Sequence, residues 1–309
     1  VTPVQPLRIG VTGASGLVGR ALVAELAGAG HRVVRFVRGS VADPATEVTW
    51  SSVRGGGASA LEGIDVVVHL AGENVGAGRW TPARRKAILE SRVEGTGLFA
   101  RALATQPPGR RLVVASAVGY YGDTGVRPIT EADGPGAGFL ADVCRAWEAA
   151  AQPAAAAGQT VTVARLGVVL AADGGALARM RTPFRLGLGG PLGDGRQFMS
   201  WIHLRDAARA LRFLAEGGGA GAYNLTAPEP VAQAAFARAL GSAMHRPAWL
   251  PAPRFALEAL LGDLAREMLL SGARVLPTRL LDEGFRFSWP TLSAALHECL
   301  GDTEAGEAA

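Results

Sequence analysis

No stretch constrains this chain more than Leu7-Arg8-Ile9-Gly10-Val11-Thr12-Gly13-Ala14-Ser15-Gly16-Leu17-Val18-Gly19. An apolar run enters three glycines spaced three apart, and an alanine- and leucine-rich segment, Arg20 to Ala29, follows. That order reads as strand, turn, helix. Such a turn brings backbone N–H groups and the positive end of a helix up to a pyrophosphate. In this reading Gly13 permits the tight turn, Gly16 removes a side chain where a ligand comes close, and Gly19 lets the helix pack on the strand. Glycines also turn strand–helix corners where nothing binds, so the assignment depends on its context.

The context is α/β. Arg32 to Arg38, Glu47 to Trp50, Asp65 to Leu70, Arg111 to Ser116 and Thr160 to Leu166 read as strands. The run Asp65-Val66-Val67-Val68-His69-Leu70 has the apolar pattern of a strand buried on both faces. Between them, Pro82 to about Thr105 and Phe139 to about Ala151 read as helices, the first capped by Thr81 with Pro82 in its opening turn. This alternation predicts a parallel, doubly wound sheet. After Gly167 the rhythm breaks. Gly174-Gly175, Gly187 to Gly195 and Gly217 to Gly221 read as loops, with helices at 204–216, 231–244, 254–271 and 290–300. We expect a dinucleotide-binding domain over 1–167, with a strand and helix returning around 200–226. A smaller, mostly helical substrate portion over 168–300 and a frayed tail at 301–309 complete the expected organisation.

Several function classes fall away. Among 309 residues 49% are hydrophobic and 19% charged, the balance of a chain that buries a core. No uncharged apolar run reaches the roughly 18 residues that span a bilayer, and Val1 to Pro6 lacks the basic-then-apolar plan of a signal peptide. The expectation is a cytoplasmic protein without a membrane partner. Two cysteines, Cys144 and Cys299, and five scattered histidines offer no metal-ligand spacing, so no metal site is expected. The net charge is +4, but the arginines are dispersed and no aromatic residues interleave with them, which argues against nucleic acid. The expected partner is a small-molecule substrate, and the oligomeric state is open.

NAD sites usually place Asp or Glu about 20 residues past the glycines, on the ribose hydroxyls. Here the second strand ends Val37-Arg38-Gly39, and no carboxylate lies between Glu25 and Asp43. Arg38 could instead face a 2′-phosphate, which its planar fork fits. The expected cofactor is therefore NADP. The other reading of Arg35 and Arg38, as solvated charges at a strand end, stays open.

Thr12 to Gly19, Asp65 to Gly72 and Ala115 to Gly122 together resemble the extended short-chain dehydrogenases. More closely, Ala71-Gly-Glu-Asn74, Gly78-Arg-Trp-Thr81, Pro183 to Pro191, Ser200-Trp-Ile-His203 and Tyr223 to Pro228 resemble its atypical, epimerase-like branch. Members of that branch are often labelled putative nucleoside-diphosphate-sugar epimerases. The stretch from about Pro247 to Leu300 is similar to the short domain of unknown function attached to it. The resemblance implies a Rossmann domain with a C-terminal substrate portion. It places the pyrophosphate at Gly13, Ser15, Gly16, Leu17 and Val18, and the 2′-phosphate at Arg38. It also implies Leu70, Ala71, Arg92 and Val169 as cofactor contacts. From the residues alone, Leu70, Ala71 and Val169 also suit plain sheet packing, and Arg92 also suits pairing with Glu90 or Glu94.

The resemblance departs where chemistry should be. Active members use a tyrosine and a lysine four residues on, the lysine lowering the tyrosine pKa. Those positions are Leu140 and Cys144, and Lys86 is the chain's only lysine. The usual asparagine of the long helix is Arg92. Of the four usual positions only the serine, Ser116, is kept. Tyr121 is the leading replacement proton donor, with Asp142 and Cys144 behind it. His203 and Asp206, at a strand end and helix start, and Arg196 and Phe198 are further substrate-side candidates. The alternatives are stabilisation of the helix N-terminus by Asp206 and a plain surface loop for Arg196 and Phe198. Two functions follow. One is an NADP-dependent oxidoreductase or epimerase-like enzyme acting on a small carbonyl or sugar-type substrate. The other is a non-catalytic NADP(H)-binding sensor or partner-docking protein.

Overall fold

Seven short, mostly valine-rich segments pair side by side in one parallel sheet. In spatial order they are Gly221–Leu225, Thr160–Leu166, Arg111–Ala117, Val66–His69, Arg8–Thr12, Arg32–Val37 and Glu47–Thr49. The structure, a computed structural model, describes residues 5–56 and 59–304. Residues 1–4, where a leader was sought, and 305–309 of the expected tail lie outside those described.

The order of the strands positions the site. From Arg8–Thr12 the chain winds outward through two strands, then returns to lay Val66–His69 on the other side of the first. That reversal opens a crevice at the carboxyl ends of these two central strands, where open α/β sheets bind ligands. All four residues of Val66–His69 are buried, as a strand covered on both faces requires. Helices Leu17–Gly28 and Leu204–Gly217 cover one face through Leu22, Leu26, Leu211 and Leu214. Helices Pro82–Ala104 and Phe139–Ala149 cover the other through Phe99, Leu103 and Trp147. Thr81 caps the long helix by accepting from the Arg84 N–H at 3.2 Å.

Beyond Gly167 the structure departs from the reading in four places. Gly174-Gly175 opens a helix, Gly175–Arg185, instead of a loop; both glycines have positive φ (135° and 64°), so they set the entry angle. The helix expected at 231–244 starts at Gln233, because Val231–Ala232 pairs with Phe198–Met199. The helix expected at 254–271 stops at Leu261, where Gly262 turns at φ 62°, and a π-helical turn, Ala265–Leu269, follows. The last helix, Leu292–Glu304, runs into the segment expected to fray. Helices Gly175–Arg185, Gln233–Ala243 and Leu292–Glu304 share a third core built on Leu170, Trp201, Phe236, Leu240 and Leu296, while Leu261, Leu264 and Leu269 pack with Trp80, Ile88 and Val143. The C-terminal segment is also tied to the sheet side of the molecule. Arg274–Val275 pairs with Pro128–Ile129, and Glu267 accepts from the Phe139 and Leu140 N–H groups at 3.0 and 2.8 Å.

Candidate functional site

Thr12 and His69 are paired in register at the ends of the two central strands. The Thr12 hydroxyl oxygen accepts from the Leu70 and Ala71 N–H groups at 3.1 and 3.2 Å. Its own proton is thereby directed to His69 Nδ1, 2.9 Å away. Burial pushes the His69 pKa down to about 3, so the ring is neutral with its proton on Nε2. This small lock fixes Leu70 and Ala71 against the glycine turn. Sequence reasoning found the turn and missed the lock, although a lone threonine and a lone histidine ending two apolar strands were its signal.

The turn has the geometry a pyrophosphate cradle needs. Gly13 sits at φ 66°, and a Cβ there would lie 3.0 Å from the Ala71 nitrogen. The Gly16 N–H donates to Gly13 O at 2.9 Å. A Cβ on Gly19 would fall 2.1 Å from the same oxygen, so only glycine lets the helix start this close to the strand. Gly16 occupies the helix N-cap without a side-chain hydrogen bond, and Ser15 and Gly16 are exposed. The first-turn N–H groups around Leu17 and Val18 are therefore uncapped by any side chain and available to an anion. Leu17 packs against the turn at Gly174 and Gly175, and Val169 lies on the short strand Val168–Leu170 beneath that turn.

At the end of the second strand the two arginines separate. Arg35 pairs with Glu47 at 2.9 Å. Arg38 is exposed, has no carboxylate partner among the described residues, and stands 5.5 Å from the centre of the Trp50 ring. Both Arg38 and Trp50 line a cavity of about 430 Å³, with Ser51, Arg54, Glu94 and Gly95. Arg54 and Trp50 were not anticipated. They sit on a short helix, Trp50–Gly56, that has too few residues to announce itself by periodicity.

Arg92 is buried, and it pairs with neither Glu90 nor Glu94. Its Nη1 donates to the Glu73 and Ile88 carbonyls at 3.0 and 3.1 Å, and its guanidinium lies over Trp147 and against Gly72. It thus holds the segment after Ala71 in place, while Nε and Nη2 have no protein acceptor among the described residues.

Ser116, Arg165 and Asn224 are register neighbours on three adjacent strands. Around them runs one continuous polar chain. The Ser116 hydroxyl donates to Glu148 at 2.7 Å, Glu148 accepts from Arg165 at 2.9 and 2.8 Å, and Arg165 donates to the Tyr121 hydroxyl at 2.8 Å. Tyr121 in turn donates to Asn224 Oδ1 at 2.7 Å. The phenol is 2% exposed, and burial raises its pKa against the opposing pull of Arg165. Tyr121 is therefore placed inside the wall, with both its donor and its acceptor engaged. Single polar residues at the ends of three apolar strands were the sequence signal for this network.

The other proton-donor candidates are equally committed. Cys144 is buried, donates weakly to Ala117 O at 3.8 Å, and its thiol is pushed up to about 11 by burial. Asp142 is exposed and pairs with Arg145. Asp206, fully buried, accepts from the Ser288 and Trp289 N–H groups and so anchors the approach to the last helix. Phe198 packs under Arg274, and Arg196 is exposed. Among the described residues no cluster has the makeup of a metal site, and no helix is long and apolar enough to cross a membrane.

Comparison with known proteins identifies the family and agrees with the fold. Residues 252–299 match a domain of unknown function. An epimerase family protein of Mycobacterium tuberculosis is 43% identical over 290 residues, covering 93% of this chain and 96% of its own. Human epimerase family protein SDR39U1 is 38% identical, covering 94% and 99%. The crystal structure of the human protein with NADPH superposes with a TM-score of 0.88 at 35% identity, covering 96% of this chain and all of that one. A nucleoside-diphosphate sugar epimerase structure from Corynebacterium glutamicum gives 0.79 at 34% identity, covering 98% of this chain and 61% of that one. Residues 9–226 match the model of the NAD dependent epimerase/dehydratase family, and the chain belongs to that family.

Proposed function

We propose that this chain binds NADPH and uses it on a small carbonyl or sugar-type substrate. The observation that carries the cofactor choice is Arg38, which has no carboxylate partner among the described residues and stands where an NAD site would present an acid. Arg54 shares its cavity, and the flat Trp50 ring lies between strand end and helix. Two guanidinium groups near one another favour a 2′-phosphate, which an acid would repel. The NADPH in the human relative's structure supports the same choice.

The residues present fit the cofactor. The uncapped first turn at Gly16, Leu17 and Val18, with Gly13, Ser15 and Gly19 shaping it, would hold the pyrophosphate. Leu70 and Ala71, held by Thr12, would line its flank, with Arg92 and Val169 further along the crevice. When bound, a nicotinamide exchanges hydride with a carbon centre. Ser116 and Tyr121 remain the residues nearest to the family's proton chemistry. Two free, buried cysteines are in keeping with a reducing, cytoplasmic setting. Neither nucleic acid nor membrane enters this reading as a partner.

A second reading, NADPH binding without turnover, is favoured by the engaged hydroxyls of Ser116 and Tyr121 and by Leu140 and Cys144 in place of a tyrosine and a lysine. The experiment has two parts. Arg38→Asp should weaken NADPH binding by about 10- to 100-fold in calorimetry, since a charge-assisted contact is worth roughly 1.5–3 kcal/mol. NADH affinity should not fall. Unchanged NADPH affinity would remove Arg38 from the site. A screen of carbonyls and nucleotide sugars should then show NADPH consumption; silence with binding intact selects the second reading.

A further inference from the structure

A separate cavity of about 500 Å³ lies behind the glycine turn, on the far side of Leu17. Its walls come from the first helix (Leu17, Arg20), the 171–173 loop, the start of helix Leu204–Gly217 (His203, Arg205) and the last helix (Glu298). His203 is 4% exposed, and its ring stacks on Trp289 with centroids 4.0 Å apart. Nδ1 accepts from the Arg205 N–H at 3.3 Å, which leaves the proton on Nε2. Nε2 has no acceptor among the described residues, on a ring that lines the cavity.

Further donors for an anion stand around the cavity. Arg20 gives one N–H to Ser15 O at 2.6 Å and keeps its others. Arg205 and Glu298 pair at 3.1 Å. Arg181 donates to the carbonyl of Ala172, a wall residue, at 3.3 Å, while its buried Nε meets no acceptor. Asp173 is exposed at the rim. Among the side chains that line the cavity, Arg20 and Arg205 thus stand with Asp173 and Glu298. Since Arg205 and Glu298 neutralise each other, Arg20 is the guanidinium left to an occupant, with Arg181 beside the wall at Ala172. The N-terminus of the 14-residue helix Leu204–Gly217 adds its partial positive charge.

We propose that this cavity is a second ligand site, built to take a small oxyanion, phosphate or carboxylate, with the His203 Nε2–H as its buried donor. It is distinct from the dinucleotide crevice and shares only Leu17 with it. An occupant would touch the side chain that packs on Gly174 and Gly175 and the arginine that holds Ser15, both at the pyrophosphate turn. The site does not depend on which reading of the crevice is correct.

The test is calorimetric titration of the full chain with inorganic phosphate and, separately, with citrate. The comparison variants are His203→Phe, which keeps the stacked ring and removes the donor, and Ala172→Trp, which fills the cavity from its wall. The expected result is one phosphate or citrate per chain, weakened at least tenfold in both variants that fold. Binding of citrate but not phosphate makes the ligand a carboxylate, and the reverse makes it a phosphate; both support the site. No binding of either anion overturns it. So does binding that the folded variants leave unchanged, since the anion then sits elsewhere, as in the glycine turn. Should His203→Phe fail to fold, Ala172→Trp alone decides between these outcomes.

Discussion

Replacing Glu148 with alanine should cost this protein a large part of its stability while leaving nucleotide binding in place. The Glu148 side chain is 14% exposed and that of Arg165 is 6% exposed, and two hydrogen bonds of 2.8–2.9 Å join them. Removing one partner of a buried pair leaves an uncompensated charge and costs about 3–5 kcal/mol. Arg165 would keep the Tyr120 ring, 3.5 Å from its guanidinium carbon, and the Tyr121 hydroxyl, so the lower figure applies. The expected loss is about 3 kcal/mol, or about 5 °C in Tm for a chain of this length. Urea unfolding followed by circular dichroism reads it as a lower midpoint at constant slope. The double variant Glu148→Leu, Arg165→Met removes both charges and should regain at least half of the loss. A loss under about 1 kcal/mol in the single variant, or a double variant no more stable than the single, would refute the claim that this buried pair holds the wall together.

Two glycines should separate stability from binding. Gly19→Ala puts a carbon 2.1 Å from Gly13 O and should destabilise by about 1–3 kcal/mol, read by urea unfolding. Gly16→Ala meets its nearest atom only at 3.2 Å, with φ −73°, and should cost under about 1 kcal/mol. Its methyl would nonetheless stand where the proposed reading puts the pyrophosphate, so NADPH affinity should drop at least tenfold; wild-type affinity would displace the cofactor from the turn. His69 gives a pH signature. The unfolded chain takes up a proton near 6.5, while the folded ring stays neutral down to about 3. The unfolded state thus binds more protons between those values, and His69's contribution, complete above 6.5, is lost as the pH falls. Acidification to pH 4 should cost the wild type on the order of 3 kcal/mol more than it costs His69→Asn. Equal pH slopes for the two proteins would show that His69 is not buried neutral.

The sheet was legible because its strands are short valine-rich runs separated by capped, alanine-rich helices, a pattern set by local sequence. The glycine turn was legible for the same reason: its three glycines answer steric demands that show within a dozen residues. Arg35 and Arg38, by contrast, are alike in the sequence; only the parallel pairing of Arg35 with Glu47 shows which is neutralised. The polar network around Arg165 joins Ser116, Glu148, Tyr121 and Asn224 across more than a hundred residues. Strand register brings Ser116, Arg165 and Asn224 together, and helix Phe139–Ala149 and the turn Val118–Tyr121 add Glu148 and Tyr121. Helix Gly175–Arg185 was hidden because a glycine pair marks the entrance to a helix as readily as a loop.

The seam between the C-terminal segment and the rest of the molecule lands many of its hydrogen bonds on main-chain atoms. Glu267 seats on two peptide N–H groups, Thr124 N–H reaches Gly272 O, Leu276 N–H reaches Ile129 O, and the Ser200 hydroxyl bridges Ala273 O and Val275 N. Peptide groups are the same whatever residue carries them. A one-residue insertion or deletion on either side would therefore misalign several of these hydrogen bonds at once. Among the side chains of 124–140 it is Glu131, which accepts from the Asn224 and Arg279 N–H groups, and Ile129, buried against Ala273 and Val275, that tie the identity of a residue to the join.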